Sequence, residues 1–369
     1  MIDLADIHRL ISQADADRTL SLFLMVDAAR LENHAATPGW RIWLKNALRE
    51  LHVEHPEDPT FDALCKRAED RLDGYRGHTK GLALFLTPDG EQVFELPVPL
   101  LENAVSYGRA SLAPLLWAMD EYERTLVLVV DQEHARFISG YMGGASREGM
   151  HNNEFAAYDF PERTQTATGR SQGDRHPGGG SNRDAFAAAV EDHRRRFFQE
   201  VATQARQLME ETKANRLFIG GSEEAAHAVK RELHDDVAKK VVGILAIPQH
   251  LDDAAVVRLV GPVATEVERQ REIELVDEVI NFAKSGSRGA LGHAAVAACL
   301  ERQQVELLVL PWPMQDPTLR DSLPREALLA GAKIELVSGA AAQRLNAEGG
   351  VGARLFYVIK PEVPGATGA

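Results

Sequence analysis

The residues whose types and spacing could do chemistry lie in one stretch, Gly169 to Glu200, reading GRSQGDRHPGGGSNRDAFAAAVEDHRRRFFQE. Gly178, Gly179 and Gly180 are consecutive, and Ser181 and Asn182 follow. Three glycines together favour neither helix nor strand, since each gives up much backbone entropy on ordering. They permit positive φ and let the backbone approach another molecule closely. Arg170, Arg175 and His176 precede them, Arg183 follows, and Arg194, Arg195 and Arg196 stand together further on. Backbone N–H groups and guanidinium groups presented at one tip suit an anion, and phosphate is the commonest anionic polymer in a cell.

Such a tip needs a rigid base. Ser181 or Asn182 can cap a helix, with Asp184 near its positive end. Phe186, Val190, Phe197, Val201, Ala205 and Leu208 then recur at helical spacing, which places them on one face of a helix running to about Thr212. The three arginines fan out around the same helix. Six arginines face four carboxylates between Arg170 and Arg196, a local positive surplus in a chain of net charge −14. That balance excludes a protein that coats nucleic acid through bulk charge and leaves a local contact, one tip in one site. A solvated arginine-rich helix face accounts for the same composition.

The chain has 369 residues, enough for two or three domains. Its 44% apolar and 26% charged content is that of a globular chain. No apolar run reaches the length of a membrane span, and the acidic, amphipathic N-terminus has no secretory-signal pattern. Cys65 and Cys299 are far apart and supply neither a disulfide framework nor a zinc site. A cytoplasmic location without membrane contact is expected. The histidines His134, His151, His176, His193 and His227 show no ligand spacing, so no metal is expected, and no cofactor. GGGSNRD lacks the Gly-Lys-Ser/Thr ending of a nucleotide-phosphate loop, and no GxGxxG follows a strand.

The pattern predicts an α/β fold of three domains, at 1–118, 119–250 and 251–360, with a tail at 361–369. In the first, helices over LADIHRLISQ, 40–52 and 61–75 accompany a strand at 20–27 and a hairpin at 81–88 and 91–97 turned by Asp89-Gly90. Trp40 and Trp43 read as core. In the second, RTLVLVVDQEHARFISGY reads as two strands around a polar turn at Asp131 to His134, and EFAAYDF (154–160) as a third. The glycine–arginine stretch and its helix follow. Next come a strand at 215–221, a helix at 222–236 capped by Ser222 with Glu224 in its first turn, and a strand at 241–248. This reads as a mixed sheet with helices packed on it. The third domain opens with a charged helix at 264–284, broken at SGSRG. It continues with a helix at 291–304, strands at 305–313, 333–338 and 353–360, and the helix GAAAQRLNA, an α/β/α arrangement.

These residues resemble a known family, the class-1 peptide release factors of eukaryotes and archaea. Its middle domain carries a hairpin, further strands, and a loop reading roughly His-Gly-Arg-Gly-Gly-Gln-Ser. A Phe five residues after the Gln and an arginine-rich helix follow. The ungapped match here is His176, Pro177, Gly178, Gly179, Gly180, Ser181 and Asn182, with Phe186 in the Phe position. HRRRFFQEVATQA matches the helix and NRLFIGGSEE the strand after it. The third domain also resembles that family's last domain, a fold shared with ribosomal RNA-binding proteins, through the helix 264–284, the glycine-containing break, and the helix–strand pair ending VELLVLP. The resemblance covers roughly residues 120–360. Two departures stand out: Ser181 occupies the Gln position, and the first domain has no Asn-Ile-Lys-Ser codon-reading loop. The chain thus resembles the bacterial relatives of these factors, a group that includes ribosome-rescue hydrolases and hibernation factors.

The resemblance implies a ribosome-associated factor that contacts rRNA and P-site tRNA, with a translational GTPase as a further partner. It implies that the Gly179-Gly180 pair positions the N–H of Ser181 where negative charge develops as water attacks the peptidyl-tRNA ester. Arg170, Arg175, His176, Arg183, Arg194, Arg195 and Arg196 are the expected RNA contacts. Ser181 has no obvious base, because His176 and Asp174 are local neighbours and not a spatially assembled triad. Hydrolysis at this Gly-Gly-Ser motif therefore stays open. So do two alternatives: a non-catalytic occupant of the same site, as in hibernation, and an α/β interaction protein whose glycine stretch is a flexible linker.

Overall fold

The structure, a computed structural model, describes residues 4–13, 18–153, 182–314 and 316–358. Among the described residues the fold is mixed α/β with three sheets. The chain opens with α1 (Leu4–Gln13), β1 (Thr19–Met25), α2 (Gly39–Glu54), α3 (Pro59–Leu72), β2 (Gly81–Thr87), β3 (Gly90–Leu96), β4 (Ala104–Gly108) and α4 (Ala113–Glu121). The first sheet is antiparallel in the order β3-β2-β1-β4. Its apolar strands bury Leu20, Leu22 and Leu24 against Leu82, Leu84 and Leu86. Trp40, Leu44 and Leu48 of α2 and Phe61 and Leu64 of α3 complete that core, with Trp43 partly buried beside it. Trp40 is core, as expected, and Trp43 packs half-buried against that core.

The second sheet holds β5 (Thr125–Val130), β6 (His134–Tyr141), β7 (Gly144–Asn152), β8 (Arg216–Gly221) and β9 (Val241–Leu245) in the order β7-β6-β5-β8-β9. The β5–β6–β7 meander is antiparallel, and β8 and β9 add parallel strands. Parallel pairing needs crossovers, supplied by α5 (Asn182–Glu211), α6 (Glu223–Glu232) and the short α7 (Asp235–Ala238). Leu126, Leu128, Ala135, Phe137, Leu217 and Ile219 bury one sheet face against these helices. Ser222 caps α6, its hydroxyl accepting from the Ala225 N–H at 3.2 Å.

The remainder comprises α8 (Asp253–Lys284), β10 (Gly289–Leu291), α9 (His293–Glu301), β11 (Val305–Pro311), α10 (Pro317–Leu329), β12 (Lys333–Val337), α11 (Gly339–Ala347) and β13 (Gly352–Leu355). The third sheet runs β10-β13-β11-β12, with β11 and β12 parallel. By compactness the chain divides into two units, residues 1–122 with 263–369, and residues 123–262.

Several elements differ from expectation. The helix expected from 264 begins at Asp253 and runs through Pro262. Burial of Val256 and Val260 offsets the helix bond a proline removes. The helix expected over 222–236 breaks at Leu233, which is extended, and resumes as α7. Strand β7 has no fully buried residue and lacks the apolar alternation that marks a strand. Helix α4 buries six consecutive residues and so shows no amphipathic period. The expected strand at 154–160, residues 169–181 of the glycine stretch and the tail at 361–369 lie outside the described residues.

Candidate nucleic-acid interface

The described flanks of residues 154–181 converge on one turn. Between β5 and β6, Asp131 Oδ1 accepts the N–H groups of Glu133 at 2.8 Å and His134 at 2.7 Å, a tight polar turn with Gln132 inside it. On the N-terminal flank, Asn153 donates its backbone N–H to Glu133 O at 2.7 Å and its side-chain amide to Gln132 O at 3.2 Å. On the C-terminal flank, Arg194 Nη2 donates to Gln132 Oε1 at 2.9 Å. Gln132 Nε2 in turn donates to Glu224 Oε2 at 3.1 Å, and Glu224 lies 3.7 Å from Arg194. Main chain and side chain of one glutamine thereby tie together both sides of the segment.

Strand β8 ends at this same turn because two glycines let it. Gly221 has φ +105° and lies so close to Val130 O that a Cβ would meet it at 2.0 Å. Gly220 is packed under Ile247, whose Cδ1 would lie 2.4 Å from an added Cβ. Ser222 N then donates to Val130 O, which starts α6 beside β5 and brings Glu224 within reach of Gln132.

Helix α5 divides into two parts. From Phe197 onward it buries Phe197, Phe198, Val201, Ala202, Ala205, Leu208 and Met209 against the sheet. Of the expected face residues, Phe197, Val201, Ala205 and Leu208 are in that core and Val190 is only half-buried, while the Phe186 side chain lies outside those described. His151 of β7 stacks on Phe197 at 5.7 Å between centroids, and its Nε2 lies 2.9 Å from Glu200 Oε2. Between Ala188 and Arg196 no described side chain is buried. At about 1.5 Å per residue, Arg194 sits roughly 18 Å along the helix from Asn182.

The three arginines are not equivalent. Arg194 is the inner one, its side chain 26% exposed and shared among Gln132, Glu191 and Glu224. Arg195 and Arg196 are each 63% exposed, and Asp192 pairs with both, at 2.9 and 2.6 Å. Exposed ion pairs of this kind are weak and screened by salt, so phosphate oxygens can compete for the guanidinium groups. Arg183 falls in the first turn of α5. The expected site residues Arg170, Arg175, His176, Gly179, Gly180 and Ser181 lie outside the described residues. Gln132 and Glu224 were not singled out as site residues from the sequence; only the polar turn and the helix start were legible there. Among the described residues no group of His, Cys, Asp and Glu is arranged to hold a metal, and no helix is long and apolar enough to cross a membrane.

Residues 111–265, which contain the turn, α5 and the whole second sheet, match the model of bacterial archaeo-eukaryotic release factor family 10. No curated protein matches the chain. Similar solved structures include Saccharomyces cerevisiae Dom34, described as a translation termination-like factor involved in RNA quality control pathways and interacting with Hbs1. It is 10% identical over 77% of this chain and 83% of that chain, with a TM-score of 0.46. Archaeoglobus fulgidus Pelota is 16% identical over 78% and 82%, with a TM-score of 0.35. The archaeal translation termination factor aRF1 is 16% identical over 96% and 98%, with a TM-score of 0.27. Over residues 111–265 the chain is therefore similar to bacterial archaeo-eukaryotic release factor family 10.

Proposed function

We propose that this protein is a ribosome-associated translation factor of release-factor type, whose glycine-rich segment enters the peptidyl-transferase region. The observation that carries this reading is the tie at Gln132. It holds both flanks of residues 154–181 at one turn while the N-terminal turns of α5 run on with exposed arginines. With Asn153 and Arg194 both fixed at Gln132, part of the entropic cost of presenting the flanks to a binding site is already met by the fold. Arg195 and Arg196 contact rRNA or P-site tRNA phosphates, and Arg170, Arg175, His176 and Arg183 extend that contact along the segment. A translational GTPase partner belongs to the same proposal, as does a division of labour among residues 1–118, 119–250 and 251–360.

The chemistry is hydrolysis of the peptidyl-tRNA ester. Water adds to the ester carbonyl, the bond to the tRNA 3′ oxygen breaks, and a peptide acid and a free tRNA hydroxyl leave. Gly179 and Gly180 set the backbone so that the Ser181 N–H donates to the developing oxyanion, a role that needs no particular side chain. A second reading is favoured by Ser181 itself. Its hydroxyl is shorter than the glutamine amide of the family motif, so a factor that fills the site without turnover, as in hibernation, fits the same residues. Peptide release from stalled ribosomes, measured with a puromycin control, separates the two. Release carried out by the protein supports hydrolysis; tight co-sedimentation without release supports occupancy. Absence of both refutes the ribosome reading.

A further inference from the structure

A cleft lies within the unit formed by residues 1–122 and 263–369. It has a volume of about 430 Å³, within the range of small-molecule sites. Helix α10 forms one wall through two neighbouring rows of side chains spaced four residues apart, which share one face of a helix. One row is Thr318, Ser322 and Glu326; the other is Asp321, Arg325 and Leu329. Arg109, just after β4, lines the cleft with them.

The two rows are held differently. Arg325 is buried, 3% exposed, and its Nη2 donates to Ala110 O at 3.1 Å, which sets its guanidinium beside the Arg109 segment. Asp321 accepts the Ser111 hydroxyl at 2.6 Å, and burial raises its carboxyl above the usual range while Ser111, Arg320 and Arg325 oppose the shift. Burial thus favours the protonated form of Asp321, and the Ser111 hydroxyl and the two arginines only partly offset it. Glu326 is exposed at the rim, and Leu329 is 68% exposed. The cleft therefore brings together the exposed Arg109, the buried and hydrogen-bonded Arg325, the carboxyl groups of Asp321 and Glu326 with the Ser322 hydroxyl, and an apolar edge at Leu329.

We propose that this cleft binds a ribonucleotide, with phosphate at Arg109 and Arg325, ribose hydroxyls at Glu326 and Ser322, and the base over Leu329. Guanidinium groups match phosphate oxygens bidentately, and a carboxylate takes the ribose hydroxyl that a deoxynucleotide lacks. The mixed charge of the lining fits an anionic phosphate joined to a hydroxyl-bearing sugar better than a simple anion. The nucleotide is either free or one residue of an RNA strand, and both present the same groups.

The test is calorimetric titration of the full chain with AMP, dAMP and a single-stranded oligoadenylate hexamer. Saturable AMP binding is expected, weakened about tenfold by Arg109→Ala and by Glu326→Gln, and severalfold weaker for dAMP. Tighter binding of the hexamer, with the same sensitivity to both variants, assigns the nucleotide to an RNA strand; equal or weaker binding assigns it to a free nucleotide. Both variants change exposed side chains, and unchanged melting confirms that they fold. No binding of any probe, equal affinity for AMP and dAMP, or unchanged affinity in both variants overturns the proposal. The inference is independent of the glycine-rich segment: Arg195→Glu with Arg196→Glu leaves AMP binding intact, and its loss in that variant also overturns the assignment.

Discussion

Arg194 reaches Gln132 in the turn between β5 and β6, its Nη2 donating to Oε1 at 2.9 Å, while the backbone carbonyl of the same Gln132 accepts from the Asn153 side-chain amide. One turn residue therefore couples the end of β7 to the middle of α5. Arg194 is accordingly a positioning group, and the outward arginines are those left to meet a partner.

That distinction sets the first prediction. Arg195→Glu with Arg196→Glu is expected to leave the melting temperature unchanged and to reduce co-sedimentation with ribosomes severely, the more so at low salt. Arg194→Ala or Gln132→Ala is expected to lower stability modestly as well, since each breaks the Gln132 network. Wild-type co-sedimentation by the double glutamate variant would remove the arginines from the interface.

Gly179→Ala is expected to impair peptide release more than tenfold if the segment acts by hydrolysis, with the thermal unfolding midpoint unchanged. A methyl group at that position restricts the backbone conformations open to the glycine pair. Equal release rates for variant and wild type would defeat the hydrolytic version of the proposal.

Gly220→Ala tests the packing that sets β8 against Ile247. The added methyl would lie 2.4 Å from Ile247 Cδ1 and 2.8 Å from its Cβ, so the isoleucine must move as a whole. A loss of about 1–3 kcal/mol is expected, the usual range for overpacking. Partial recovery in the background Ile247→Val, read by urea unfolding, is the second half of the prediction.

A pH effect is expected from the buried carboxyl of Glu272 on α8. Burial raises it from 4.5 to about 7; the Ser338 N–H and Arg269 pull it down, and Glu268 and Glu121 push it further up. Its oxygens lie 2.8 and 3.0 Å from Arg269 Nη1, and Arg269 also pairs with Glu121. Between about pH 4.5 and 7 the folded state holds more of this proton than the unfolded state. Stability contributed by this group is therefore full below that window and falls as pH rises through it. Glu272→Gln is expected to flatten that part of the pH–stability curve. An identical slope in wild type and variant, measured by denaturant midpoints from pH 4.5 to 7.5, would exclude the assignment.

Local chemistry was legible residue by residue. The Asp131–His134 turn, the Ser222 cap, the buried stripe of α5 and the helix Gly339–Ala347 were all readable, because each depends on neighbours within a few positions. The glycine–arginine pattern was enough to point to the family that residues 111–265 match. Tertiary structure alone decided that Gln132 is the tie, that Arg194 faces inward while Arg195 and Arg196 face out, and that Arg109 shares a cleft with α10. The tie joins Gln132 to Arg194, 62 positions on, and the cleft joins Arg109 to α10, over 200 positions on, and no local periodicity or turn rule carries such a distance. They exist because close packing of sheet and helix faces brings particular side chains within hydrogen-bond reach.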